Sequence, residues 1–205
     1  MIIELQKVSK RYTHNWIIKN VTYQFKSDMI YAVQGHNGSG KSTLLKIISG
    51  FLSPSKGCVI YQKDSKEIGR PEIYKNVSYA GPYLSCPDQL SVSEAVKLHF
   101  TFKEFVNEQN EVQFFEQLDL PVRKSARLSE LSSGQQQRLL LAMAIMSDTE
   151  ILLLDEPGSF LDIKAKAWLK DLLLKYAANR IVVIASNDAD DLMMCSESIN
   201  ISDYH

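Results

Sequence analysis

Two short stretches hold residue types that act together on phosphate. The first is GHNGSGKS, Gly35 to Ser42, which fits GxxxxGK followed by Ser or Thr without a mismatch. Glycines at Gly35, Gly38 and Gly40 let the backbone curl, so that successive N–H groups from Asn37 and Ser39 onward point at phosphate oxygens. Lys41 is placed to reach the β- and γ-phosphates of a nucleotide, Ser42 to offer its hydroxyl to Mg²⁺, and Thr43 to meet an α-phosphate oxygen. The second stretch is ILLLDE, Ile151 to Glu156, which supplies the carboxylate that a phosphoryl-transfer site requires at the end of a neighbouring strand. Asp155 is expected to hold Mg²⁺ through water, and Glu156 to polarise a water for attack on the γ-phosphate. No pattern for an acceptor site accompanies them, so a kinase is not indicated.

Positioning these groups takes strands that end at one edge of a sheet. IYAV, Ile30–Val33, enters the glycine loop, and TLLKIISGF leaves it as a helix ending near Gly50. ILLLDEP is a continuous apolar run of the kind found in a central parallel strand buried on both faces. IVVIA, Ile181–Ala185, reads as the next central strand and INIS, Ile199–Ser202, as a closing one. Near the N-terminus IIELQKV, NVTYQF and IYAV are short strands at a spacing that predicts a small, largely antiparallel sheet. CVIYQ at Cys58–Gln62 and NVSYA at Asn76–Ala80 are two more strands. From Ser91 the period becomes helical, with Ser91 as cap and Glu94 three residues on. Helix dominates from about Tyr83 to Met146, including EVQFFEQL and QQQRLLLAMAIM. A further helix at Ala165–Tyr176 aligns Ala165, Trp168, Leu169, Leu172 and Tyr176, a stripe suited to core packing.

The bulk composition sets bounds. A chain of 205 residues with 45% apolar and 23% charged residues supports a real core in an ordinary globular domain. A net charge of −1 gives no reason to expect nucleic acid as a partner. Cys58, Cys86 and Cys195 form no CxxC pair, which argues against a zinc site and fits a reducing compartment. Neither a secretory signal nor a run of about 20 apolar residues is present, so a cytosolic location is expected unless something holds the chain at a membrane.

Between the two phosphate motifs lies LSSGQQQR, Leu131–Arg138. With GHNGSGKST, ILLLDEP and the following GSFLD, it resembles the ATP-binding subunit of ABC transporters, over almost the whole chain and in that family's order. The resemblance implies an α/β fold: a P-loop NTPase core with a mostly parallel central sheet, an N-terminal antiparallel β-subdomain and an inserted helical subdomain. It divides one domain, 1–205, into a nucleotide-binding core of 1–82 and 147–205 and a helical subdomain of 83–146. Two such domains pack head-to-tail in the family, each ATP lying between one phosphate loop and the other signature. Here that signature is Ser132, Ser133, Gly134 and Gln135; Ser133 replaces a glycine but keeps its backbone N–H. Taken without its neighbouring motifs, LSSGQ reads more simply as an ordinary helix N-cap at Ser132. Tyr12 matches the aromatic that stacks on adenine. Asp162 matches the aspartate of the loop that crosses the dimer interface, and it can also cap the next helix. The implied ligands are ATP and Mg²⁺. The implied partners are a second ATP-binding subunit, identical or different, and a polytopic membrane permease on whose inner, cytoplasmic face the chain sits. The small size is similar to that of minimal bacterial exporter subunits, including the haem-exporter type.

Two positions depart from the family pattern. A glutamine that contacts Mg²⁺ and the attacking water normally follows the strand that leads into the helical part; here Pro82, or Tyr83 with a one-residue shift, stands there. Asn187 stands where a γ-phosphate-contacting histidine belongs, and its amide donates a hydrogen bond but never becomes cationic. Hydrolysis is therefore expected to be reduced but not abolished. A regulatory ATP-binding module with little turnover, and a soluble ABC ATPase of the cluster-assembly type, remain as alternatives.

Overall fold

The computed structural model describes residues 1–82 and 86–204. The chain forms β1 (Ile2–Tyr12), β2 (Asn15–Lys26) and β3 (Met29–Gln34), then α1 (Lys41–Ile48), β4 (Lys56–Lys63), β5 (Lys66–Ile68) and β6 (Val77–Ala80). Three helices follow, α2 (Val92–Phe102), α3 (Glu111–Leu118) and α4 (Ser133–Ile145). The chain then alternates through β7 (Ile151–Asp155), α5 (Ile163–Tyr176), β8 (Ile181–Ala185), a short α6 (Ala189–Leu192) and β9 (Glu197–Asn200).

Five strands make a parallel sheet in the order β6-β7-β8-β3-β9. Every residue of β7 and β8 is buried, as their unbroken apolar runs require. Their register pairs Asp155 with Ala185, so the two strands end level with each other. The alternation along β7 divides the core in two. Ile151 and Leu153 join Leu44, Leu45, Phe25 and Tyr31 on the side of α1. Leu152 and Leu154 join Leu141, Leu172 and Phe114 on the side of α4 and α5.

The antiparallel sheet has the order β2-β1-β4-β5. IYAV, expected there, belongs instead to the parallel sheet, paired with β8 and β9. The reason is local: Tyr31, Ala32 and Val33 are consecutive and all buried, which needs cover on both faces. The position in the antiparallel sheet goes to β4, which pairs with β1. The closing strand runs Glu197–Asn200, after which Ile201–Tyr204 turn as a 3₁₀ helix.

Among residues 86–146, α3 and α4 coincide with EVQFFEQL and most of the QQQRLLLAMAIM run. Ser91 caps α2 reciprocally with Glu94, as the sequence predicts. In the Ala165–Tyr176 stripe, Ala165, Leu169, Leu172 and Tyr176 are buried. Trp168 stays at the margin, donating to the Gln117 carbonyl at 2.8 Å beneath the Arg138 guanidinium.

Candidate functional site

The parallel sheet brings three loops to one edge, because β3, β7 and β8 are neighbours that end together. From β3 runs the phosphate loop. Gly40 caps α1 with φ 97°, and a Cβ there would meet Ile17 and Ile18 of β2 at 2.8 and 2.9 Å, so glycine alone fits both the turn and the packing. Lys41 and Ser42 open the helix, where unpaired N–H groups collect. Lys41 is buried; its Nζ donates to the Gly35 carbonyl at 2.9 Å and pairs with Glu156 Oε1 at 3.2 Å. Ser39 is fully buried, and its hydroxyl has no partner in the protein.

From β7 come the two acids. Asp155 is fully buried. Its Oδ2 accepts from the Tyr79 hydroxyl at 2.9 Å, while Oδ1 has no hydrogen-bond partner among the described residues. Burial first, and the neighbouring Asp155 second, push the Tyr79 phenol far above its ordinary range, so it stays protonated and donates. Glu156 takes a left-handed backbone, φ 49°, with its N–H donating to the Ala185 carbonyl at 2.7 Å. From β8 come Ser186 and Asn187. The Ser186 hydroxyl lies 2.7 Å from Asp191 Oδ2 and 3.3 Å from Glu156 Oε2. The buried Asp191 carboxylate also accepts the Gly158 N–H at 3.3 Å, and burial raises its pKa. Asn187 donates from Nδ2 to Asn37 Oδ1 of the phosphate loop at 3.0 Å.

The phosphate loop and the loop after β7 border a cavity of about 620 Å³ lined by Tyr12, Ile17, Asn37, Gly38, Gly40, Lys41, Ser42, Thr43, Pro82, Glu156 and Ser159; Ser186 and Asn187 of the loop after β8 are not in its lining. Tyr12 is half-exposed at its rim, so an aromatic face is available to a flat base. Pro82 lines the wall with no amide to offer; the alternative position, Tyr83, lies outside the described residues.

The residues present fit a divalent cation held partly by water and phosphate. Asp155 Oδ1 is a buried acceptor without a partner, an arrangement that costs stability unless a ligand completes it. Among the described residues no cluster of His, Cys, Asp and Glu could hold a metal by itself. That donor set suits Mg²⁺, which keeps its waters and takes one or two carboxylates with substrate phosphates.

The signature residues stand apart from this cavity in the same chain. Ser132 caps α4: its hydroxyl accepts from the Gln135 N–H at 3.3 Å, and the Gln135 side chain accepts from the Ser132 N–H at 2.9 Å. Ser132 and Ser133 are exposed, with Gly134 tucked behind them. A Cβ on Gly134 would lie 2.7 Å from the Phe160 carbonyl, so the signature packs on the loop that follows Glu156. Asp162 caps α5, accepting the Ala165 N–H at 2.8 Å. Tyr79, Ser186 and Asp191 escape the sequence motifs. Tyr79 lies in the NVSYA strand and Ser186 directly after IVVIA, but each of the three matters through neighbours distant in sequence.

Comparison with known proteins gives a consistent result. The family model described as ABC transporter matches residues 18–159. The uncharacterized ABC transporter ATP-binding protein YybJ of Bacillus subtilis is 27% identical over 205 residues, covering 98% of this chain and 93% of its own length. The ribose import ATP-binding protein RbsA of Shouchella clausii is 32% identical over 173 residues, 78% of this chain; the match spans only 34% of RbsA. A putative ABC transporter ATP-binding protein from Pyrococcus furiosus superposes with a TM-score of 0.83 at 25% identity, over 100% of this chain and 99% of its own. A dimeric bacterial ABC transporter cassette shares the fold, with a TM-score of 0.82 at 24% identity over 98% and 95% of the two chains.

Proposed function

The chain belongs to the ABC transporter family, and from that premise we propose that it binds ATP with Mg²⁺ and hydrolyses it, slowly, between two ATP-binding subunits packed head-to-tail. The hydrolysis drives or gates a separate polytopic membrane subunit from its cytoplasmic face. The observation that carries this reading is the single cavity in which the Tyr12 ring, the phosphate loop and Glu156 converge. In it Tyr12 takes the adenine, the loop N–H groups and Lys41 take the phosphates, and Thr43 meets the α-phosphate. Bound Mg²⁺, held by Ser42 and Asp155, supplies charge neutralisation at the phosphates.

Glu156 is the general base. It takes a proton from a water as that water bonds to the γ-phosphorus and the bond from phosphorus to the β–γ bridging oxygen breaks, leaving ADP and phosphate. Lys41 now pairs with Glu156. A γ-phosphate competes for the same ammonium, which releases the carboxylate toward water. Gly35, Asn37, Gly38, Ser39 and Gly40 shape the phosphate cradle, and Ser132, Ser133, Gly134 and Gln135 face the γ-phosphate of the opposite subunit. Residues 83–146 are read as the helical subdomain, which together with the loop GPYL, Gly81–Leu84, meets the membrane partner; Tyr83 and Leu84 lie outside the described residues. No helix among the described residues is long and apolar enough to cross a membrane, and on this reading the membrane path belongs to a separate subunit.

Turnover is slow on this reading because Pro82 brings no amide oxygen to the metal and Asn187 brings no charge to the γ-phosphate. Those same two residues favour a second reading, an ATP-binding regulatory module with little hydrolysis. Steady-state ATPase activity compared with Glu156→Gln separates the two: hydrolysis clearly above that variant supports the enzyme, and equal rates support the module. Fractionation of a tagged chain tests the partner. Recovery with a polytopic membrane protein supports transport and identifies what sets the substrate; recovery with soluble partners only points to the cluster-assembly type.

A further inference from the structure

We propose that Tyr79 is a positioning residue for the metal-binding carboxylate: its hydroxyl commits Asp155 Oδ2 to the protein and leaves Oδ1 as the one acceptor for a water on the Mg²⁺. This rests on the reading of the site as an ATP–Mg²⁺ site. Tyr79 sits on β6, whose register pairs it with Leu153, two residues before Asp155 on β7. From there its hydroxyl reaches Asp155 Oδ2 at 2.9 Å, across the end of the sheet. The other oxygen, Oδ1, has no hydrogen-bond partner among the described residues, in a side chain that is fully buried. One oxygen is thus anchored and one is unsatisfied, which fixes the rotamer and selects the oxygen offered to a ligand.

The neighbouring residue makes this contact possible. A Cβ on Gly81 would come within 2.9 Å of both Asp155 Cβ and Tyr79 Cε1, and 3.2 Å of the Tyr79 hydroxyl. Only a residue without a side chain lets the ring lie against the aspartate here. Pro82 follows immediately and lines the nucleotide cavity. The end of β6 therefore contributes a donor to the metal's carboxylate. Partners of ligating carboxylates matter because they hold the ligand at the angle that a near-octahedral Mg²⁺ demands.

The test measures metal dependence separately from nucleotide affinity. Binding of a non-hydrolysable ATP analogue is titrated in EDTA and across Mg²⁺ concentrations, for the parent chain and for Tyr79→Phe. Tyr79→Phe should leave affinity in EDTA unchanged and raise the half-saturating Mg²⁺ about 10- to 100-fold. In an Asp155→Asn background the same substitution should have no further effect on the Mg²⁺ midpoint. Mn²⁺ in place of Mg²⁺ should give a broadened electron paramagnetic resonance spectrum in Tyr79→Phe. A Mg²⁺ midpoint within about twofold of the parent, or an equal loss in EDTA, overturns the positioning role. Should Tyr79→Phe fail to fold, Gly81→Ala decides: it keeps the hydroxyl but displaces it, and an unshifted Mg²⁺ midpoint rejects the proposal. A parent chain that binds no analogue in either condition overturns the ATP reading itself, which is a different failure.

Discussion

Glu156 occupies a left-handed backbone that a non-glycine residue adopts rarely, and it does so at the end of a strand buried along its whole length. Its amide on Ala185 and its carboxylate between Lys41 and Ser186 hold that conformation. Strain of this kind persists where the surroundings over-determine it, as they do here. Glu156→Gln keeps the shape and removes the base. Hydrolysis should fall by about 100-fold or more while analogue binding stays, measured by phosphate release and by titration. Asn187 is the complementary case. It is exposed and touches only the phosphate loop among its side-chain hydrogen bonds, so a longer imidazole meets no buried wall. Asn187→His should raise hydrolysis, by up to about 100-fold if the lost contact resembles one oxyanion donor. An unchanged rate would place the limit elsewhere, first at Pro82.

At the scale of elements, α4 and the loop from Glu156 to Asp162 behave as one unit, because Gly134 lies under the Phe160 carbonyl. Gly134→Ala should push them apart and cost about 1–3 kcal/mol in urea denaturation, an overpacking penalty, and lower hydrolysis with it. Wild-type stability in that variant would show that the two elements slide freely. The helical region carries a pH response of its own. His99 on α2 lies 2.8 Å by Nε2 from the Ser147 hydroxyl, which itself donates to the Met143 carbonyl. Burial first, and Lys103 second, bring its pKa down to about 4. Below about pH 6.5 the unfolded chain takes up a proton that the folded chain refuses, so stability is full above that pH and is lost as pH falls toward 4. At pH 5 the loss should be about 2 kcal/mol, and His99→Gln should flatten that slope. Elements whose pattern is intrinsic were legible in the sequence: IVVIA is β8 to the residue, and the cap of α2 is where Ser91 and Glu94 put it. β5 was not, since Lys66, Glu67 and Ile68 form a strand only because β4 offers an edge. The phosphate loop and the acids were legible for the same reason as β8, their chemistry being local. Tyr79 and Asp191 were not, because each acts on a partner placed beside it by the sheet.

At the scale of the whole molecule, one chain carries its phosphate cavity and its signature residues on different parts of its surface. None of the signature residues lines that cavity, and Ser132 and Ser133 stand exposed at the start of α4. Close to that signature, large apolar side chains face solvent: Phe160 is 68% and Ile163 88% exposed, although both border the loop packed on Gly134. Apolar groups left out of water contact only by a partner favour association through that face. A stable interface buries about 1,200–2,000 Å², more than these side chains alone supply, and the nucleotide-bridged contact proposed above would add to it. Glu156→Gln with ATP and Mg²⁺ should therefore elute as a dimer in size-exclusion chromatography, and as a monomer in EDTA. Phe160→Glu in the same background should remain monomeric with ATP, with unfolding free energy changed by no more than about 0.5 kcal/mol because the side chain is exposed. A dimer that survives Phe160→Glu would move the interface away from this loop. A chain that stays monomeric in all conditions, yet binds ATP, would favour a different ATP-binding subunit as its partner, and mixing with candidate subunits would then restore both assembly and turnover.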